Sequence, residues 1–172
     1  EWRDYIFTGE IFIPEIPPEE TVGGLGVTFL SRHPEQIDQF YRLQVTWPEG
    51  RPRFGLAAHP KGVQPLTVES GEFPEPEPGG WYKFRIETTD ESEAGRTRVV
   101  VTVWPSSKRK PKNPQVVAVD QSDIRLTAGT VGLWVAGDQP QNLAARFNNL
   151  RVAARTSNGA EGKTLLVANF KS

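Results

Sequence analysis

A chain of 172 residues with 37% hydrophobic content is long enough for one domain with a substantial core and too short for two. Its 20 basic and 21 acidic residues leave a formal charge of −1, which gives no electrostatic case for nucleic acid or an anionic membrane as a partner. Cysteine is absent, excluding disulfides and thiol chemistry, and no apolar run is long enough to insert into a bilayer; methionine is absent too, so the sequence is expected to be a mature product, an excised domain or a segment of a longer chain.

Apolar residues recur with period two in short runs between Gly, Pro, Asp and Asn clusters, which is strand patterning. In chain order, strands are expected at 3–13, 25–32, 40–47, 53–59, 80–89, 97–105, 129–136 and 145–154, enough for a sandwich or a closed barrel. Between the first two, PEIPPEE at 14–20 holds acids broken by proline. VGGLG at 22–26 reads as a turn, because it precedes a strand and not the helix that a phosphate loop requires. HPEQIDQF at 33–40 is a loop with one helical turn. EFPEPEPGG at 72–80 is an extended connector ending in a glycine turn, since proline lacks the donor a central strand needs. In the next two strands Tyr82, Phe84 and Ile86, then Val99, Val101 and Val103, mark the core face. KRKPK at 108–112 is a solvated hairpin tip. At the end, RTSNGAEGK at 155–163 reads as a small, polar tether, and TLLVANFKS at 164–172 as a terminal strand whose backbone must find a partner.

The order WYKFRIETT, RVVVTVWP, RLTAGTVGLWVAG and ARFNNLRV from residue 81 onwards resembles the second half of a laminin-G-like jelly roll of the concanavalin A-like lectin and glucanase superfamily. GGLGVTFLSR followed by FYRLQV resembles its first half, so the resemblance covers about residues 2–153. It implies an all-β fold, a two-sheet antiparallel jelly-roll sandwich spanning 1–154, in an extracellular or cell-surface setting. Domains of this kind commonly open with a strand of the form LLxxNF and continue into one resembling WRDYIFTGEI. Here the second opens the chain and the first, Leu165 to Phe170, closes it. The terminal strand, with Leu165, Leu166, Val167 and Phe170, is therefore expected to complete a sandwich, its own or a neighbour's, with donation to a neighbour the favoured course.

Families on this fold include hydrolases, adhesion domains and sugar-binding modules. Hydrolysis needs two carboxylates in register across one glycosidic bond. The acid clusters at 14–20, 75–78 and 90–93 are proline-broken or turn-like, and His33 and His59 lack metal-ligand spacing. No catalytic residue is expected. Relatives often bind calcium near the closing strand; Asn148 and Asn149 stand where they tend to carry aspartates, so a structural calcium ion, the one cofactor considered, would use Asn149 with Asp4. If Val27, Phe29, Tyr41, Leu43 and Val45 face the core, the opposite face carries Thr28, Arg32, Arg42, Gln44 and Thr46, a polar set suited to sugar hydroxyls or carboxylates. Trp134, alternating with Val131, Leu133 and Val135, is placed to stack on a sugar ring. The candidate carbohydrate-binding residues are thus Arg32, Arg42, Gln44 and Trp134.

Together these features point to a non-catalytic extracellular adhesive or assembly module that self-associates by terminal-strand exchange into a fibre or surface layer. Its partners are copies of itself and a cell-surface or matrix glycan. The alternative is a monomeric carbohydrate-binding module that uses the concave sheet face.

Overall fold

The computed structural model describes residues 1–15, 23–60, 66–137 and 145–170. Its strands are β1 (Tyr5–Ile13), β2 (Gly24–Arg32), β3 (Gln39–Thr46), β4 (Arg53–His59), β5 (Thr67–Gly71), β6 (Gly80–Glu91), β7 (Arg96–Pro105), β8 (Val116–Asp120), β9 (Thr130–Ala136), β10 (Arg146–Arg155) and β11 (Glu161–Ala168). They form a seven-stranded sheet, in the order β11-β10-β1-β6-β7-β8-β5, and a four-stranded sheet, in the order β4-β3-β2-β9. Every pairing is antiparallel. The molecule is the all-β, two-sheet antiparallel sandwich expected from the sequence.

The alternation that predicted the strands also sets the core. Tyr82, Phe84 and Ile86 of β6 and Val99, Val101 and Val103 of β7 are buried, and across the interior they meet Val27 and Phe29 of β2 and Tyr41, Leu43 and Val45 of β3. Aromatic rings meet edge to face in the core, with centroids 5.0 Å apart for Phe7 and Phe84 on adjacent strands of the larger sheet and 5.5 Å apart for Phe54 and Tyr82 between the two sheets. Residues 72–77 run without regular pairing into a turn at Gly79 (φ +75°), as the proline pattern requires. The helical turn expected at 33–40 is a single 3-10 turn, Pro34–Gln36.

Two strands were not anticipated. β5 is a short edge strand, exposed throughout, so it has no apolar alternation to betray it. β8, sequence VVAVD, is a buried run bounded by the basic hairpin tip, whose Lys108, Arg109, Lys110 and Lys112 are exposed. A third difference concerns VGGLG: Gly24 and Gly26 lie within β2 and not in a turn. A Cβ on Gly26 would stand 2.1 Å from the Leu43 carbonyl oxygen, so glycine there permits a close approach of β2 to β3. Residues 16–20 of the acidic stretch at 14–20, Val22 of VGGLG, and residues 171–172 of the terminal segment lie outside the described residues.

Polar ties cross the sandwich where the strands are irregular. The Leu30 amide, at a residue with φ +48° beside a register shift in β2, donates to the Tyr5 hydroxyl of β1 at 2.7 Å. Tyr41 of β3 donates its hydroxyl to the buried Asp120 carboxylate of β8 and accepts from the Leu126 amide at 3.0 Å. Burial pushes both phenols well above the usual tyrosine range, so both remain protonated donors and acceptors.

Two substitutions test these features. Tyr41→Phe strands the Asp120 carboxylate and the Leu126 amide, and is expected to lower the unfolding free energy by about 1–3 kcal/mol in urea denaturation; wild-type stability would show that this tie contributes nothing net. Gly26→Ala is expected to cost about 1–3 kcal/mol through overpacking. Gly55→Ala, where the nearest atom lies 3.9 Å from a new Cβ, serves as the tolerant control, and equal losses at the two glycines would contradict the close-approach account.

Candidate functional site

The outer face of the four-stranded sheet is built from three cross-strand rows. Trp134, Gly26, Gln44 and Gly55 form one; Gly132, Thr28, Arg42 and Ala57 the next; Ala136, Gly24, Thr46 and Arg53 the third. Half of these positions are glycine or alanine, so the face is a low floor from which few side chains rise. The floor lets the Trp134 indole lean from β9 across β2: a Cβ on Gly24 would stand 2.9 Å from the ring. The indole thereby reaches Arg42 on β3, whose guanidinium carbon lies 4.0 Å from the ring centroid. Arg42 Nε donates to Gln44 Oε1 at 2.6 Å.

Three of the four residues predicted for sugar binding are therefore one cluster. The fourth is not. Arg32 was expected on the same face by counting alternate residues from Thr28, but the register of β2 shifts between Phe29 and Arg32, and Arg32 pairs with Gln39, which has the parity of the core residues Tyr41 and Leu43. Its Nε donates to Gln39 Oε1 at 2.7 Å. It borders a shallow recess of about 530 Å³ at the end of the sandwich, shared with Thr28, Asp38, Phe40 and Trp134. Arg53 and the glycine floor complete the outer face and were missed in the sequence; the available signal was that β2, β3, β4 and β9 contain no aspartate or glutamate.

Burial lowers the Arg42 pKa from the usual arginine value. Among the described residues no carboxylate lies within 4.0 Å of Arg42 or Arg53. The outer face of the seven-stranded sheet is the electrostatic opposite. There Arg85 binds Glu87 at 2.9 Å and Glu161 at 2.7 Å, Arg151 also binds Glu161, and Arg155 approaches Glu87 at 3.6 Å. These cations are already neutralised by the protein.

The terminal strand takes part in that second network. β11 pairs with β10 of the same chain, Leu166 opposite Val152 and Val167 opposite Arg151, with Leu165 as an extra residue where the register shifts. Leu165 and Leu166 pack against the core, whereas Val167 and Phe170 are 57% and 49% exposed. Residues 155–163, expected as a tether, instead form a tight hairpin: Arg155 faces Glu161, the Thr156 amide donates to the Ala160 carbonyl at 2.9 Å, and Gly159 takes φ +82°. A connection this short makes pairing with the adjacent strand entropically cheap. Phe170 also borders a cleft of about 630 Å³ with Trp81, Arg146 and Phe147.

The proposed calcium pair is not brought together. Asp4 accepts from the Asp90 amide at 2.7 Å at the start of β1, while Asn149 donates to Glu10 at 2.7 Å, roughly 20 Å along the strand at about 3.3 Å per residue. Asn149 instead serves the backbone: it sits in a register shift with φ +51°, a conformation asparagine tolerates better than most residues. Among the described residues no group of three or more His, Asp or Glu side chains is arranged to hold a metal ion. No protein-family model matches the chain, and no curated protein matches it.

Burial raises the Glu161 pKa, but hydrogen bonds from Arg151 and Arg85 outweigh it and hold the carboxyl below the usual range. Its unfolded value is about 4.3, so the contribution to stability is complete above that pH and fades as pH falls through the lower folded value. Glu161→Gln should therefore shift the urea midpoint at neutral pH and have little effect near pH 3; a shift independent of pH would rule out this ion pairing as the hold on β11.

Proposed function

We propose that the chain is a non-catalytic glycan-recognition module of laminin-G-like type that binds through the outer face of its four-stranded sheet. The observation that carries this reading is the Trp134–Arg42–Gln44 cluster standing over a floor of glycine and alanine. An amphipathic ring, a guanidinium fork and a side-chain amide are the groups that recognise a saccharide, whose ring faces are apolar and whose rim is hydroxylated. The low floor leaves room for a chain of sugars to cross the strands. Strands β2, β3, β4 and β9 contribute no carboxylate to this face, so they offer neither the acid nor the nucleophile of glycoside hydrolysis, which supports binding without turnover. Such a ligand places the module outside the cell or at its surface.

Self-association through the terminal strand is the second reading. It is favoured by Val167, apolar and exposed on an edge strand that can pair with another chain, and by the exposed Phe170 just beyond that strand. Against it stands the hairpin, which must open before β11 can leave its own sheet.

Arg42→Ala and Trp134→Ala are expected to leave the fold intact by circular dichroism and to weaken glycan binding by about 1–3 kcal/mol in affinity electrophoresis. Unfolded variants, or unchanged retardation by every glycan the wild type binds, would remove the support for this face. Deletion of 164–172 separates the second reading: loss of a large species on size exclusion supports assembly, and a wild type that is monomeric at all concentrations ends it.

A further inference from the structure

We infer that the saccharide taken by this face is anionic, presenting a carboxylate or a sulfate to Arg42; the inference rests on the glycan-binding reading above and adds the chemical class of the ligand. The strands β2, β3, β4 and β9 contribute Arg32, Arg42 and Arg53 and no acidic residue, and register places Arg42 and Arg53 on the outer face with Arg32 at its rim. Among the described residues Glu1 and Asp38 border the same recess as Arg32, and Asp38 is engaged by His33 at 2.7 Å.

Arg42 is the centre of the case. Its polar contact within the described residues is the neutral Gln44 amide, its guanidinium carbon lies over the Trp134 ring, and it is partly buried. A guanidinium drawn out of water without a counter-charge is unfavourable in the free protein. Arg85, Arg96, Arg125, Arg151 and Arg155 each lie within 4.0 Å of a carboxylate, whereas among the described residues the half-buried Arg32, Arg42 and Arg98 have none. Of these three only Arg42 lies over an aromatic ring on the outer face, where an anion on the ligand would supply its counter-charge. A planar anion can accept two parallel N–H bonds from one guanidinium edge, a geometry that neutral hydroxyls do not reproduce. The Trp134 ring beneath the guanidinium carbon and the bond from Nε to Gln44 restrain the group, which pre-organises it for a ligand.

Affinity electrophoresis and calorimetry with polygalacturonate, dextran sulfate and neutral dextran and mannan test this. The expected result is binding of at least one of the two polyanions about tenfold or more tighter than of either neutral glycan; the preferred polyanion identifies carboxylate or sulfate as the anion. Arg42→Gln should abolish that preference, and Arg42→Lys should restore it in part. Should Arg42→Gln fail to fold, the exposed Arg53→Gln gives the second reading of the same face through a smaller loss. Replacing Lys108, Arg109, Lys110 and Lys112 by alanine should leave the preference unchanged; if that variant loses it and Arg42→Gln does not, the polyanion binds the hairpin tip and the inference is wrong. Neutral glycans bound as tightly as polyanions, with binding lost on Trp134→Ala, would overturn the anionic class and leave the glycan-binding reading standing. No binding of any probe would overturn both.

Discussion

A sandwich without cysteine holds its sheets together by side-chain packing and a few polar ties, and each polar group buried between them is costly unless it is paired. The interior is mostly apolar, with Thr88, Thr97 and Asp120 among its buried polar residues, and two tyrosines reach across it. Tyr5 satisfies the amide freed by the irregularity at Leu30, and Tyr41 satisfies both the Asp120 carboxylate and the amide of Leu126. Each hydroxyl links one sheet to the other, so the same groups that remove an unpaired donor also fix how the sheets lie. The shift at Leu30, tolerated because Tyr5 caps it, then decides which residues reach the outer face beyond it. Arg32 leaves that face as a result.

The two outer faces show what the chain does with charge. On the seven-stranded sheet, cations and carboxylates interleave across β6, β10 and β11, so Arg85, Arg151 and Arg155 each have a carboxylate of the same chain within 4.0 Å. On the four-stranded sheet the arginines have no acidic counterpart on their own strands. A structural arginine is normally cheapest when paired, so a partly buried one left with a neutral amide and an indole is more readily explained by a ligand than by stability. The glycine and alanine floor agrees, because removing side chains from a sheet face gives up packing and gains access.

The terminal hairpin shows a different balance. Its loop is short and its anchor is one carboxylate shared by Arg85 and Arg151, while its apolar residues are only partly covered. Local closure favours pairing within the chain, and the ionic anchor makes the strand's hold depend on the charge of Glu161. The same arginine pair is thus a docking point for β11 and a part of the neutralised face.

Period-two alternation determined eight of the strands, the core residues of β2, β3, β6 and β7, and the all-β class, because burial of one face imposes its pattern directly on the sequence; it left sandwich and barrel open. Composition likewise determined that no disulfide could help. Alternation also placed Arg42, Gln44 and Trp134 on the face opposite the core. It could not determine that three strands bring those side chains into contact, since cross-strand register depends on pairing between distant segments. Nor could it reveal β5, which buries nothing, or the bulge that turns Arg32 away. Only the tertiary structure decided that Gly24 and Gly26 form a strand, that Asn149 sits at a backbone irregularity far along the strand from Asp4, and that 155–163 is a hairpin. In each case the deciding force is an approach between segments far apart in the chain or a turn closed by its own hydrogen bonds, and neither leaves a periodic trace in the residues themselves.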